Sequence, residues 1–109
     1  MYIEQLNKLN MRMSLIEKTY HILKQAGLAA TQQAFSRDYV SKNANWFAYQ
    51  AHMKRNFCIT SAIQCLRCIR LKRVRDAALG VAQLAALASA EALLLEHLKQ
   101  RYLVAEVCV

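Results

Sequence analysis

The sequence has no proline and only two glycines, Gly27 and Gly80, among its 109 residues. Tight hairpins and the sheets they build depend on those residues for their turns, so a β-rich fold is excluded. Two isolated glycines also make no phosphate-cradling loop. Acidic side chains are scarce as well: seven face fifteen lysines and arginines, for a formal charge of +8. Met1 opens onto Tyr2-Ile3-Glu4-Gln5 and not onto a basic then apolar leader, so no secretory signal is expected. Cys58, Cys65, Cys68 and Cys108 then read as reduced thiols in a cytoplasm, not as a disulfide framework.

What is present is apolar and helix-forming. Hydrophobic residues make up 56% of the chain, with alanine and leucine concentrated in the second half. A chain this long can bury one core without staples. The expectation is an all-α single domain of about five helices, with a long C-terminal helix. Leu6, Leu9, Met13, Ile16, Tyr20 and Leu23 alternate by three and four, the spacing of one helical stripe. Ser14 with Glu17 is a capping-box pair, so this helix either runs through or restarts at Ser14, leaving residues 2–12 as an arm. Gly27 is placed to end it in the left-handed conformation.

Thr31 caps a second short helix with Phe35 and Tyr39 on its apolar face. Ser41-Lys42-Asn43 is a polar connection, and Asn45 to Met53 is a third helix with Trp46, Tyr49 and Met53 on one side. A fourth helix starts with Thr60 or Ser61 as its cap and turns Ala62, Ile63, Leu66 and Ile69 inward, with Arg67, Arg70 and Arg73 outward. From about Val74 to Val104 the pattern predicts one long helix. Its stretch from Ala77 to Leu95 holds only Gln83, Ser89 and Glu91 as polar groups. Length alone permits a membrane span. Alanine contributes little to insertion, however, and Gln83 and Glu91 oppose it, so the segment is read as a core or partner helix.

Charge is uneven along the chain. Residues 37–75 carry nine basic groups (Arg37, Lys42, Lys54, Arg55, Arg67, Arg70, Lys72, Arg73, Arg75) against Asp38 alone. The flanking segments hold four basic against two acidic groups and two against four. A middle third this positive attracts a polyanion.

Two short helices around a tight polar turn, followed by a basic helix, form the pattern of a helix-turn-helix. Phe35, Tyr39, Trp46 and Tyr49 are expected to hold the pair together, with Ser36 as the small side chain where the helices cross. The stretch Thr31-Gln32-Gln33-Ala34-Phe35-Ser36 resembles the opening of the second helix in the lambda-repressor and Cro class of phage and plasmid regulators. The resemblance spans roughly residues 14–72. It implies that Gln32 braces base contacts and that Asn43, Ala44, Asn45 and Ala48 read base edges in the major groove. The family usually places glycine in the turn, whereas this chain has Val40-Ser41.

The expected phosphate contacts are Arg37, Lys42, Lys54, Arg55, Arg67, Arg70 and Arg73. Residues 73–109 are expected to supply a dimer or partner contact through Leu84, Leu87, Leu94, Leu98 and Tyr102, because DNA half-sites mirror a protein two-fold. Cys65 and Cys68 lie three apart with Cys58 and His52 upstream, but the paired spacing of a zinc site is missing. His21, His52 and His97 stand beside no nucleophile motif. The expected function is therefore a cytoplasmic, sequence-specific transcriptional regulator, not an enzyme. It would be homodimeric on double-stranded DNA, with no cofactor, metal, membrane or small-molecule ligand. The alternatives are a small protein-interaction module that antagonises another regulator, and a nucleic-acid binder without sequence preference.

Overall fold

In the computed structural model, which describes residues 13–101, local capping signals set most of the helix ends. Ser14 accepts the Glu17 N–H at 3.2 Å and the Glu17 carboxylate accepts the Ser14 N–H at 3.4 Å. This reciprocal box opens α1 (Leu15–Gln25). Gly27 ends it with φ of +76°: Gly27 N–H bonds the Lys24 carbonyl and Leu28 N–H the Leu23 carbonyl, the paired bonds of a Schellman stop. Thr31 accepts the Ala34 N–H at 3.0 Å and starts α2 (Gln32–Tyr39). α3 (Trp46–His52) begins without a side-chain cap at Asn45, and α4 (Ile59–Arg75) and α5 (Val81–Arg101) follow. All five described elements are α-helices.

The core begins as a knot of aromatic rings that joins the first three helices. Tyr20 of α1 meets Phe35 of α2 at 5.7 Å and Phe47 of α3 at 5.1 Å between centroids, and Phe35 meets Phe47 at 6.0 Å. All three contacts are edge-to-face, the arrangement the ring quadrupole favours. Tyr39 donates its hydroxyl to the Leu28 carbonyl at 3.2 Å, and burial first, then the nearby Asp38, push its phenol up to about 12. Below this knot α4 contributes Ala62, Cys65, Leu66 and Ile69, and α5 adds Leu87, Ala90 and Leu94 to the same cluster.

Several expectations need correction. The inward aromatic of α3 is Phe47, not Tyr49, which is 51% exposed; Met53 is exposed and lies just beyond the helix. Cys58, not Thr60 or Ser61, caps α4: its sulfur accepts the Ser61 N–H and Ser61 returns a bond to the Cys58 N–H. Ile63 is exposed and Cys65 takes the inward position. The long C-terminal helix does not start near Val74. α4 stops at Arg75, and residues 76–80 form a connection in which the Asp76 carboxylate accepts the Ala78 N–H and Gln83 accepts the Gly80 N–H. That break lets α5 fold back onto both α1 and α4, with Gln83 donating to the Ala26 carbonyl at 3.3 Å.

Leu87 and Leu94, expected at a partner contact, are fully buried in the chain's own core, and Leu98 packs against it. Tyr102, like Leu6 and Leu9, lies outside the described residues. α5 is long and apolar enough to cross a membrane, and only 17% of its apolar window is buried. Its inner face nonetheless completes the hydrophobic cluster of the domain.

Candidate nucleic-acid interface

The crossing of α2 and α3 is fixed by one buried hydroxyl. Ser36, with no exposed surface, donates to the Gln32 carbonyl at 2.9 Å and accepts the Phe47 N–H at 3.1 Å. A first-turn N–H has no carbonyl within its own helix, so the serine supplies the partner and sets the distance between the helices. Between them the chain turns at Ser41, whose φ of +58° is the left-handed conformation that glycine usually fills. Ser41 is tied down from outside, because Gln64 of α4 donates to its hydroxyl at 3.1 Å. The Lys42 N–H also reaches back to the Ser36 carbonyl. The expected glycine is thus absent while its conformation is kept.

This lock decides which side of α3 faces out. With Phe47 inward, Asn45, Ala48, Tyr49 and His52 are all exposed at helical spacing on the other side. Asn45 and Ala48 were expected there. Tyr49 and His52 were not, because the aromatic run Trp46-Phe47-Ala48-Tyr49 offers two equally good apolar stripes. The two asparagines differ. Asn43 spends its side-chain oxygen on the Asn45 N–H at 2.9 Å, whereas Asn45 makes no side-chain capping bond. Asn43 therefore shapes the start of α3 and Asn45 keeps its whole amide available. Ala44 is half-buried, and Gln32 is exposed at the start of α2.

A family of unknown function (DUF6626) matches residues 16–107. The chain belongs to that family. No curated protein and no solved structure matches it.

In this DUF6626 chain Lys42 precedes α3 and Lys54 and Arg55 follow it, although less of the chain's positive charge is free than the sequence suggests. Arg37, Lys42, Lys54, Arg55 and Arg67 are exposed and form no salt bridge among the described residues. Arg55 lies over the exposed ring of Tyr49, 5.8 Å from its centroid. Arg70 and Arg73, expected on phosphate, converge instead on Glu91 of α5, Arg70 at 3.1 Å. Burial opposes the charged form of Glu91, but the two arginine hydrogen bonds together outweigh it and hold the carboxyl below its ordinary value. Lys72 pairs with Asp76 at 3.1 Å. The outer arginines of α4 thus serve partly to join α4 to α5.

Other chemistry finds less support in the geometry. Cys58, Cys65 and Cys68 are free thiols, and among the described residues no group of three or more histidine, cysteine or acidic side chains is placed to hold a metal ion. Burial pushes the Cys65 thiol well up, while hydrogen bonds from Ser61 lower that of Cys58. A cleft of about 500 Å³ opens between the ends of α2 and α4, lined by Leu28, Tyr39, Cys68, Leu71 and the Lys72–Asp76 pair. It contains no residue of α3.

Proposed function

We propose that this protein is a sequence-specific DNA-binding regulator that lays α3 in the major groove. The observation that carries the reading is the Ser36–Phe47 lock. It fixes two short helices across a left-handed turn and leaves Asn45, Ala48, Tyr49 and His52 exposed on one face. In a helix-turn-helix the early residues of the second helix face the base edges. Lys42, Lys54 and Arg55 flank that face, where phosphates would run, and Gln32 stands at the neighbouring helix start. The working form is a homodimer whose copies meet through the outer face of α5. There Val81, Ala82, Leu84, Ala85, Ala88, Ser89 and Ala92 are exposed and uncharged. Two copies of a strongly basic chain approach best through a surface that carries no charge of its own.

Selection from a random duplex pool tests the reading directly, and a recovered motif is expected. Binding should also weaken steeply with salt. The five exposed cations that form no salt bridge among the described residues, Arg37, Lys42, Lys54, Arg55 and Arg67, give a log–log slope of about −4.5 if each neutralises one phosphate. A flat salt response refutes DNA binding. A second reading, a module that binds another protein, is favoured by Val81 (87%) and Leu84 (40%), exposed one turn apart on α5, since large apolar groups left in water mark contact surfaces when they cluster. A monomer in sedimentation that binds no duplex would favour it.

A further inference from the structure

We infer that the DNA sequence read by α3 is built on A·T pairs, with an adenine facing the Asn45 amide and a thymine methyl group against Ala48. The inference rests on the helix-turn-helix reading above and follows from which side chains the exposed face holds and which it lacks. Guanine presents two acceptors in the major groove and is matched best by arginine or lysine; cytosine presents a donor and is matched by a carboxylate. Residues 43–52 contain no arginine, lysine, aspartate or glutamate. The nearest cations, Lys42 in the turn and Lys54 and Arg55 beyond α3, bracket the helix and do not stand on its outer face. Arg55 is further engaged over the Tyr49 ring.

The face does hold an exposed amide and an exposed methyl group. Adenine offers an acceptor and a donor side by side, which a primary amide pairs in bidentate fashion. Asn45 can present both halves of its amide because no capping bond uses either. Asn43 is less free to do so, since its amide is held against the chain by the bond its oxygen accepts from the Asn45 N–H. Ala48 follows three residues later on the same exposed face, and an alanine methyl packs against the C5-methyl of thymine. The ring of Tyr49, half in solvent beside it, extends that apolar surface. The Asn45 amide and the Tyr49 hydroxyl can each also donate to a guanine acceptor, but neither matches its two acceptors as arginine does, and the remaining donor is the ring of His52. It belongs to the last turn of α3, whereas base contacts come from the early residues of a recognition helix.

The test uses the full chain and a duplex site recovered by selection, with uracil replacing each thymine in turn. One uracil position should lose about fourfold in affinity, the transfer value of one buried methyl group, and Ala48→Gly should abolish that sensitivity. Asn45→Ala should lose about tenfold or more on the selected site and little on random duplex. Asn45→Arg, at an exposed position that keeps the fold, should move the preference at one base pair from adenine to guanine. Circular dichroism confirms that each variant is folded. A recovered motif that is G·C at its centre, or insensitive to uracil throughout, overturns the inference while the helix-turn-helix reading stands. Binding without any motif, or no binding, overturns both.

Discussion

Removing the Ser36 hydroxyl tests whether the α2–α3 crossing is held as described. Ser36→Ala keeps the small volume at a position with no exposed surface but leaves the Phe47 N–H buried without its 3.1 Å acceptor. The Gln32 carbonyl loses one donor, but a carbonyl has a second lone pair and an intrahelical partner, so the amide dominates the cost. An unsatisfied buried donor costs about 1–3 kcal/mol, and in a domain of this size each kcal/mol lowers Tm by about 4–8 °C. Ser36→Val removes the same acceptor and forces two methyl groups into the crossing, which adds about 1–3 kcal/mol of overpacking. Thermal unfolding followed by circular dichroism measures both, and hydrogen exchange at the Phe47 amide reports the bond itself. The expected order is wild type, then alanine, then valine, with faster exchange at Phe47 in both variants. An alanine variant as stable as wild type, with its Phe47 amide still protected, would refute the argument that the hydroxyl fixes this crossing.

The other expectations concern α4 and α5. Leu94→Ala should cost about 2–5 kcal/mol because the side chain is fully buried, whereas Leu84→Glu, on an exposed residue, should leave the fold intact and lower self-association in sedimentation; a destabilised Leu84 variant with Leu94→Ala tolerated would invert the assigned faces. The folded Glu91 carboxyl lies below its ordinary value, so its ion pairs contribute above about pH 4.3, the unfolded glutamate value, and that contribution fades as pH falls through the folded value. Acid titration of stability should therefore be shallower in Glu91→Gln than in wild type, with the slope owed to Asp76, also lowered by its Lys72 bond, retained; identical acid profiles would show that the arginine clamp adds nothing. Of the three described cysteines, iodoacetamide under native conditions should modify Cys58 first and Cys65 last, since one thiol is lowered and exposed at a helix N-terminus and the other is buried and raised; mass spectrometry of a partial digest that found Cys65 modified before Cys58 would contradict the packing of α4.

The sequence by itself determined the elements that depend on neighbours three or four residues apart. Ser14 with Glu17, Gly27 and Thr31 set their helix ends through bonds within one turn, so those ends were legible before any packing was known. The absence of proline and near absence of glycine settled the helical class on similarly local grounds. Ser36 was also legible as the small residue of a crossing, although not as the acceptor for Phe47.

Only the tertiary structure decided which face of α3 and of α5 is inside, whereas the inner faces of α1 and α2 were legible as stripes. In α3 the run Trp46-Phe47-Ala48-Tyr49 has aromatics on two sides, and the contact with Ser36 and the ring of Tyr20 chooses Phe47. In α5 alanine and leucine lie on every side, so periodicity could not tell that Leu87 and Leu94 fill the core while Leu84 does not. The break at residues 76–80 was hidden for the same reason. The alanine-rich segment that follows has strong helical propensity, and the gain from folding α5 back onto α1 and α4 appears only once those helices are in place. Glu91, one more scattered carboxylate in the sequence, becomes the common partner of Arg70 and Arg73 only when α5 is brought alongside α4. The two arginines stand 21 and 18 positions before Glu91 in the chain, and no local rule reaches that far.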